Sequence, residues 1–190
     1  MANLKIYCDI FSGYTFRKQL IISDNPSFGV IQLKDVNAPN HEIDYLGLAT
    51  TSDFNGSNRY LLLDQDVLLI ARGNTNIAIL FEKHKYNRSV LASGAFIIIR
   101  PMVEYLDPPY LAWYLNMKDS QAFFKRSHVG TTVRNLPIRA LLEFDIKVPP
   151  LQKQQIIGRL YLLLQEEKNI SRQREEKWSQ LINEQIKGIL

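Results

Sequence analysis

Apolar and polar residues alternate in two different rhythms along this chain. As far as Pro101 the apolar positions come in short runs closed by turn residues. Leu4 to Ile10 alternates weakly until Ser12-Gly13 breaks it, Leu20-Ile21-Ile22 stops at Ser23-Asp24-Asn25-Pro26-Ser27, and Gly29 to Leu33 stops near Asn37-Ala38-Pro39-Asn40. Tyr60 to Leu63, Val67 to Ala71 and Ile77 to Phe81 are parted by Asp64-Gln65-Asp66 and Gly73-Asn74-Thr75-Asn76, and Gly94 to Arg100 ends at Pro101. Asn55-Gly56 is a strong turn signal. These runs predict strands, and they lie too close together for regular crossover helices. An antiparallel or mixed sheet follows.

After Pro108-Pro109 the spacing becomes helical. Tyr110-Leu111, Trp113-Tyr114-Leu115 and Phe123-Phe124 predict one or two amphipathic helices from about Pro109 to about Ser127, with Trp113, Tyr114, Phe123 and Phe124 in the core. Ile138 to Leu142 predicts a short helical turn. Phe144, Ile146 and Val148 alternate with Asp145 and Lys147 as a half-buried strand does. Pro149-Pro150 must end that strand, because proline offers no N–H and steers its predecessor away from helical angles; it can then open the next helix. That helix should run about 38 residues, near 57 Å at 1.5 Å per residue. Its middle, Gln165 to Lys177, has Ile170 as its only aliphatic residue, and its end is apolar at Trp178, Leu181, Ile182, Ile186, Ile189 and Leu190. A helix of this reach cannot pack wholly on its own body. Ile170, Trp178, Leu181, Ile182 and Ile189 therefore predict a partner helix, a coiled coil and a dimer. The chain divides into a body at residues 1–149 and a helix at 150–190.

Hydrophobic residues make up 46% of the 190 and aromatic residues 11%, enough for a packed core rather than disorder. Cys8, the one cysteine, has no disulfide partner within the chain, and with three histidines it cannot build a zinc site of the usual kind. No signal peptide or membrane-spanning run is evident, so a cytoplasmic location is expected. The net charge of +4 is modest, but it is segregated. Asp35 to Asp66 is acidic against Arg59 alone. Arg72 to Arg100 is basic through Arg72, Lys83, Lys85, Arg88 and Arg100 against Glu82, and Lys118 to Arg139 is basic again. Such segregation can present one positive face to a phosphate backbone.

Candidate chemistry is thin. Asp145-Ile146-Lys147 fits the end of a metal-dependent nuclease pattern, yet the alternation puts both charges on the solvated face of a strand. Asp107-Pro108-Pro109-Tyr110 is similar to the catalytic motif of amino-methyltransferases, in which tyrosine stacks on a flipped base. No glycine-rich strand–loop for a methyl donor precedes it, and a double proline is a good helix start. No P-loop, G-x-S-x-G or G-x-G-x-x-G occurs. No catalytic residue, cofactor or metal is expected.

An ordered set of segments resembles one family over nearly the whole chain. Ser12-Gly13-Tyr14-Thr15-Phe16-Arg17 and Gly29 to Val36 look like two of its early segments. Tyr60-Leu61-Leu62 with Asp64 to Gly73 resembles its L-x-x-G-D-(I/V)-L strand and closing R-G, with Gln65 where glycine is usual. Tyr110 to Leu115 resembles the helix before the Gly130-Thr131-Thr132 loop, and Leu136, Leu141, Ile146, Pro149-Pro150-Leu151, Gln155 and Ile156-Ile157 complete the edge. The family is the specificity subunit of type I restriction–modification enzymes. The resemblance implies an α/β recognition domain with a curved, mostly antiparallel or mixed sheet plus a long helix pairing antiparallel with its counterpart. It also implies duplex DNA as ligand, and modification subunits, with the restriction subunit beyond them, as partners that supply the chemistry. A full member has two recognition domains, so this chain looks like a half-subunit or a fragment, and a homodimer if the former. Arg17, Arg72, Asn74, Asn76 and Arg134 lie beside glycine or turn signals and are the candidates for base edges. Lys83, Lys85, Arg88, Lys125 and Arg126 suit phosphates, with Lys18, Thr131 and Thr132 as further DNA-binding candidates. A protein-interaction adaptor that oligomerises through the helix is the competing reading.

Overall fold

The computed structural model of the protein describes residues 1–16, 27–73, 75–129 and 134–189, with side chains described through residue 187. In chain order the strands are β1 (Ala2–Asn3), β2 (Cys8–Ser12), β3 (Phe28–Ile31), β4 (Val36–Asn37), β5 (Glu42–Ile43), β6 (Ala49–Thr51), β7 (Val67–Ile70), β8 (Ala78–Leu80), β9 (Ser89–Ala92) and β10 (Phe96–Pro101). Helices α1 (Pro108–Leu115), α2 (Lys118–Ser127) and α3 (Ile138–Leu142) follow, then β11 (Asp145–Ile146) and α4 (Leu151–Ile189).

The central sheet is antiparallel in the order β2-β10-β7-β8. Both of its faces are covered. Val67, Leu69, Ala78, Ile97 and Ile99 face a core shared with α1, α2 and α3, while Leu68, Ile70, Ile79, Phe96 and Ile98 face a second core that includes Ile31, Val90 and Ala92 of a smaller sheet. Strands buried on both sides read as unbroken apolar runs, which is why Val67 to Ile70 and Phe96 to Ile99 stand out in the sequence. The smaller sheet, β6-β3-β9, is mixed: β3 runs antiparallel to β6 and parallel to β9. The fold is thus a mixed-sheet α/β body carrying one long helix.

Several local readings change. Leu4–Ile6 is a 3-10 turn rather than strand, because Leu4 is drawn into the helical-side core and its N–H donates to Phe144 O; the strand starts at Cys8. Asn58–Tyr60 is likewise a 3-10 turn, and only Leu61 of the following run bridges to the sheet, opposite Leu91. The expected strand at 144–148 contracts to Asp145–Ile146, paired antiparallel with Ala2–Asn3. Leu20-Ile21-Ile22 lies outside the described residues. Phe124 is fully buried, with Trp113, Tyr114 and Phe123 packed around the same core.

Candidate nucleic-acid interface

The end of the central sheet beyond β7 gathers part of the basic set. Arg72 sits in an antiparallel bridge with Asn135, Leu136 N–H donates to Ala71 O, and Gly73 N–H donates to Arg134 O. Val129 bridges Asn135 from the other side, two residues after α2 ends. The turn after β7 and the segments flanking 130–133 are therefore stitched together. Arg72 and Arg134 lie on this surface, with Lys125 and Arg126 in the last turn of α2 leading into it. All four are exposed, and none is ion-paired among the described residues.

Asn76 holds this surface from below. It is 3% exposed: its amide donates to Ile70 O at 2.8 Å, and its Oδ1 lies 2.6 Å from His128 Nε2. Gln121 donates to the Asn76 carbonyl and to Leu115 O, tying α2 to the same turn. The side chain placed by its turn signal at a base edge is thus spent inside the protein, with His128 and Gln121 as partners that the sequence did not flag. Burial lowers the pKa of His128, and the Arg134 charge lowers it further, which favours the neutral ring. Arg17, Lys18, Asn74, Thr131 and Thr132 lie outside the described residues. Residues on both sides of 17–26 join one ring cluster: Tyr14 meets Phe16 at 4.8 Å and Phe54 at 5.1 Å, and Phe54 meets Phe28 at 5.2 Å. Gly13 cannot be replaced there, since a Cβ would sit 2.2 Å from the Ser93 carbonyl oxygen.

Lys83, Lys85 and Arg88 form a separate group. Because β8 runs antiparallel to β7, the chain returns to the opposite end of the hairpin, where Lys83 N–H donates to Asp64 Oδ1. The strands between the two groups span on the order of 20 Å. Lys85 pairs with Glu82, while Lys83 and Arg88 line an exposed surface groove with Tyr86 and Asn87. Other charges that the sequence counts are used structurally. Arg100 meets the buried Asp66 through two 2.8 Å hydrogen bonds and donates to Leu61 O; Arg59 pairs with Asp9 and lies 4.5 Å over the Phe11 ring. Asp35 is buried and accepts from Gln32 N–H.

The Asp107-Pro108-Pro109-Tyr110 motif has a structural account. Asp107 is the N-cap of α1, its carboxylate accepting from Tyr110 N–H, and the buried Tyr110 donates its hydroxyl to Lys147 O at 2.6 Å. Burial raises the pKa of Asp107. The motif also seats α4. Asp107 N–H donates to Gln154 Oε1, and the Gln154 amide donates to Tyr105 O and Pro149 O; Gln154 is 1% exposed. One turn on, Gly158 lets α4 approach so closely that a Cβ would fall 2.4 Å from Asp107 Oδ2. Tyr161 OH lies 2.8 Å from His41 Nδ1 and accepts from the Asn116 amide; with its amide oxygen turned toward the guanidinium, the buried Asn40 accepts from Arg172 Nε and Nη2. The opposite face of α4 is uncovered: Ile170, Trp178, Leu181 and Ile182 are between 53% and 61% exposed. The Ile189 side chain is outside the described set. Asp145 and Lys147 are both exposed, no cluster of metal-ligating side chains occurs among the described residues, and none of their helices is long and apolar enough to cross a membrane.

This architecture has solved relatives. The chain is similar to the type I restriction–modification S subunit of M. genitalium (15% identity, TM-score 0.59, 90% of this chain) and to the HsdS subunit of Thermoanaerobacter tengcongensis (14%, 0.60, 91%). It is also similar to a chain from a structure describing complex assembly and conformational transition of the type I R-M system (17%, 0.66, 95%). The chain spans only 40%, 38% and 42% of those longer chains. No curated protein matches it. The sequence model of the family described as "Type I restriction modification DNA specificity domain" matches residues 4–176. With nearly the whole body and most of α4 inside that match, the chain belongs to the type I restriction–modification DNA specificity domain family.

Proposed function

We propose that this chain reads one half of a bipartite DNA site for a type I restriction–modification assembly and performs no chemistry itself. The body through residue 149 is the recognition module, and residues 150–190 connect it to a second recognition domain and to modification subunits, through them to the restriction subunit, in the cytoplasm. The observation that carries the reading is the Arg72–Asn135 bridge, which sets two exposed guanidinium groups, Arg72 and Arg134, on adjacent segments at one end of a rigid sheet. Arginine in that setting can meet guanine O6 and N7 with two parallel hydrogen bonds, while Lys125 and Arg126 beside it suit phosphates. Lys83, Lys85 and Arg88, at the far end of the hairpin, act on the phosphate backbone outside the half-site.

The test is binding of selected and random duplexes across a salt series. Arg72→Ala or Arg134→Ala should cost about 1–3 kcal/mol on the selected sequence and relax its preference. Lys83→Ala or Lys85→Ala should weaken all duplexes alike and flatten the salt slope. Equal effects of all four substitutions on both duplexes would remove base reading. Affinity for DNA that does not respond to salt would favour the protein-interaction adaptor.

A further inference from the structure

We infer that His128 is a positioning residue for sequence reading: by holding Asn76 it locks the end of α2 to the turn before β8, and so fixes the spacing of Arg72 and Arg134. This deepens the proposed DNA reading and rests on it. The Asn76 amide nitrogen donates to Ile70 O, which has no proton to give, so the direction of the amide is settled. Its Oδ1 therefore faces His128 Nε2 across 2.6 Å, and that ring nitrogen must carry the proton. In the neutral ring Nδ1 is then a bare acceptor. It is buried and has no hydrogen-bond partner among the described residues. A proton added to it would make a buried donor with nothing to meet, close to the Arg134 charge.

The pair sits under the two arginines. Asn76 lies between β7 and β8 and is tied by its side chain to Ile70, the last residue of β7. His128 ends α2, and Val129 beside it bridges Asn135, whose other bridge is to Arg72. Gly73 N–H donates to Arg134 O and closes the ring. One short hydrogen bond thus joins, from within the protein, the two segments that carry the guanidinium groups. Gln121 holds the Asn76 backbone rather than its side chain, so it cannot replace His128. The charges toward this end are all positive: Lys125 and Arg126 on α2, Arg72 after β7, and Arg134; Gly130, Thr131, Thr132 and Val133 carry none. The carbonyl end of α2 favours a cation, but burial of the ring and then the Arg134 charge hold it neutral. Once protonated, Nδ1–H must reach water, and the ring can do that only by leaving its place against Asn76.

The test compares binding of selected and random duplexes by the full chain from about pH 7.5 down to about pH 5. The wild-type preference for the selected duplex should fall with acid. His128→Gln, whose amide nitrogen stands as many bonds from Cα as Nε2 and does not titrate, should keep its preference throughout. His128→Leu should lose roughly tenfold of the preference at every pH, and change random-duplex binding and its salt slope far less. Without DNA, ring nitrogen chemical shifts should show the Nε2–H tautomer at neutral pH. Gly73 and Leu136 amides should exchange faster in His128→Leu and not in His128→Gln. An Nδ1–H tautomer, or a preference in His128→Gln that falls with acid as the wild type's does, would overturn the inference. A preference that His128→Leu keeps in full would overturn the positioning role alone and leave the DNA reading standing. Wild-type chain with no preference at any pH would remove the DNA reading, and this inference with it.

Discussion

Gln65 occupies a position that glycine would fill without strain. Its φ of 67° is left-handed, and the tight turn it makes lets its N–H meet Phe81 O and Asp66 N–H meet Leu63 O. A side chain there costs about 1 kcal/mol, part of which glycine would return through a freer unfolded chain. Gln65→Gly should therefore raise stability in urea by about 0.5 kcal/mol, and a loss would show that the side chain contributes a contact of its own. Two histidines make a pH prediction at the same scale. His41 is held below its usual pKa by burial and then by the Lys168 charge, as His128 is by burial and Arg134. Because the fold disfavours their protonation, the stability they carry is present above about pH 6.5 and is lost as pH falls below it. Asp35 and Asp107, whose pKa values burial raises, run the other way at lower pH. The thermal midpoint should fall between about pH 7 and pH 5.5, and His41→Asn should flatten that fall. An unchanged profile in the variant would remove His41 from the account.

At the scale of elements, the junction of α4 with α1 is tightly constrained. Gly158→Ala must push a methyl group against Asp107, Pro109 and Tyr110 N, for a loss of about 1–3 kcal/mol. Gln154→Leu strands Asp107 N–H, Tyr105 O and Pro149 O, a further route to about 2 kcal/mol. Both should speed hydrogen exchange in the first turns of α4 before the sheet loosens; exchange that rises uniformly would mean the junction is not a local unit. The central strands and the helices were legible in the sequence because burial imposes a period, or an unbroken apolar run, that survives without knowledge of neighbours, whereas β6 and β9 of the smaller sheet were not read from it. The junction was not, since Gln154 is polar at an ordinary helical position and only its three backbone partners make it structural. Asn76 shows the same limit. Its turn was legible from Gly73 to Asn76, but a turn signal does not tell whether a side chain points toward solvent or toward His128.

At the scale of the whole molecule, a pairing of two α4 helices, as the sequence predicts, would set a distance. A two-fold midpoint near Ile170 would place the two Gly158 anchors roughly 36 Å apart along the pair at 1.5 Å per residue. That is about 11 base pairs of duplex, close to one helical turn, so both recognition ends can face the same side of the DNA. Sequences selected from random duplexes should show inverted half-sites with that centre-to-centre spacing. Inserting seven residues after Ile170 should lengthen the spacing by about 3 base pairs and leave the half-sites unchanged. Half-sites that change with the insertion, or a spacing that does not, would disconnect helix length from site architecture.

The short pairing of Ala2–Asn3 with Asp145–Ile146 has a consequence for how the protein is made. Residues at the start of the chain wait for a strand nearly 150 positions later, so this closure belongs to the slow, long-range part of folding. On a ribosome the pairing cannot form until residue 146 has emerged, and α4 follows it. The body can thus finish its own closure before the exposed apolar face of α4 is free to meet another chain, an order that would keep nascent copies from associating through unfinished domains.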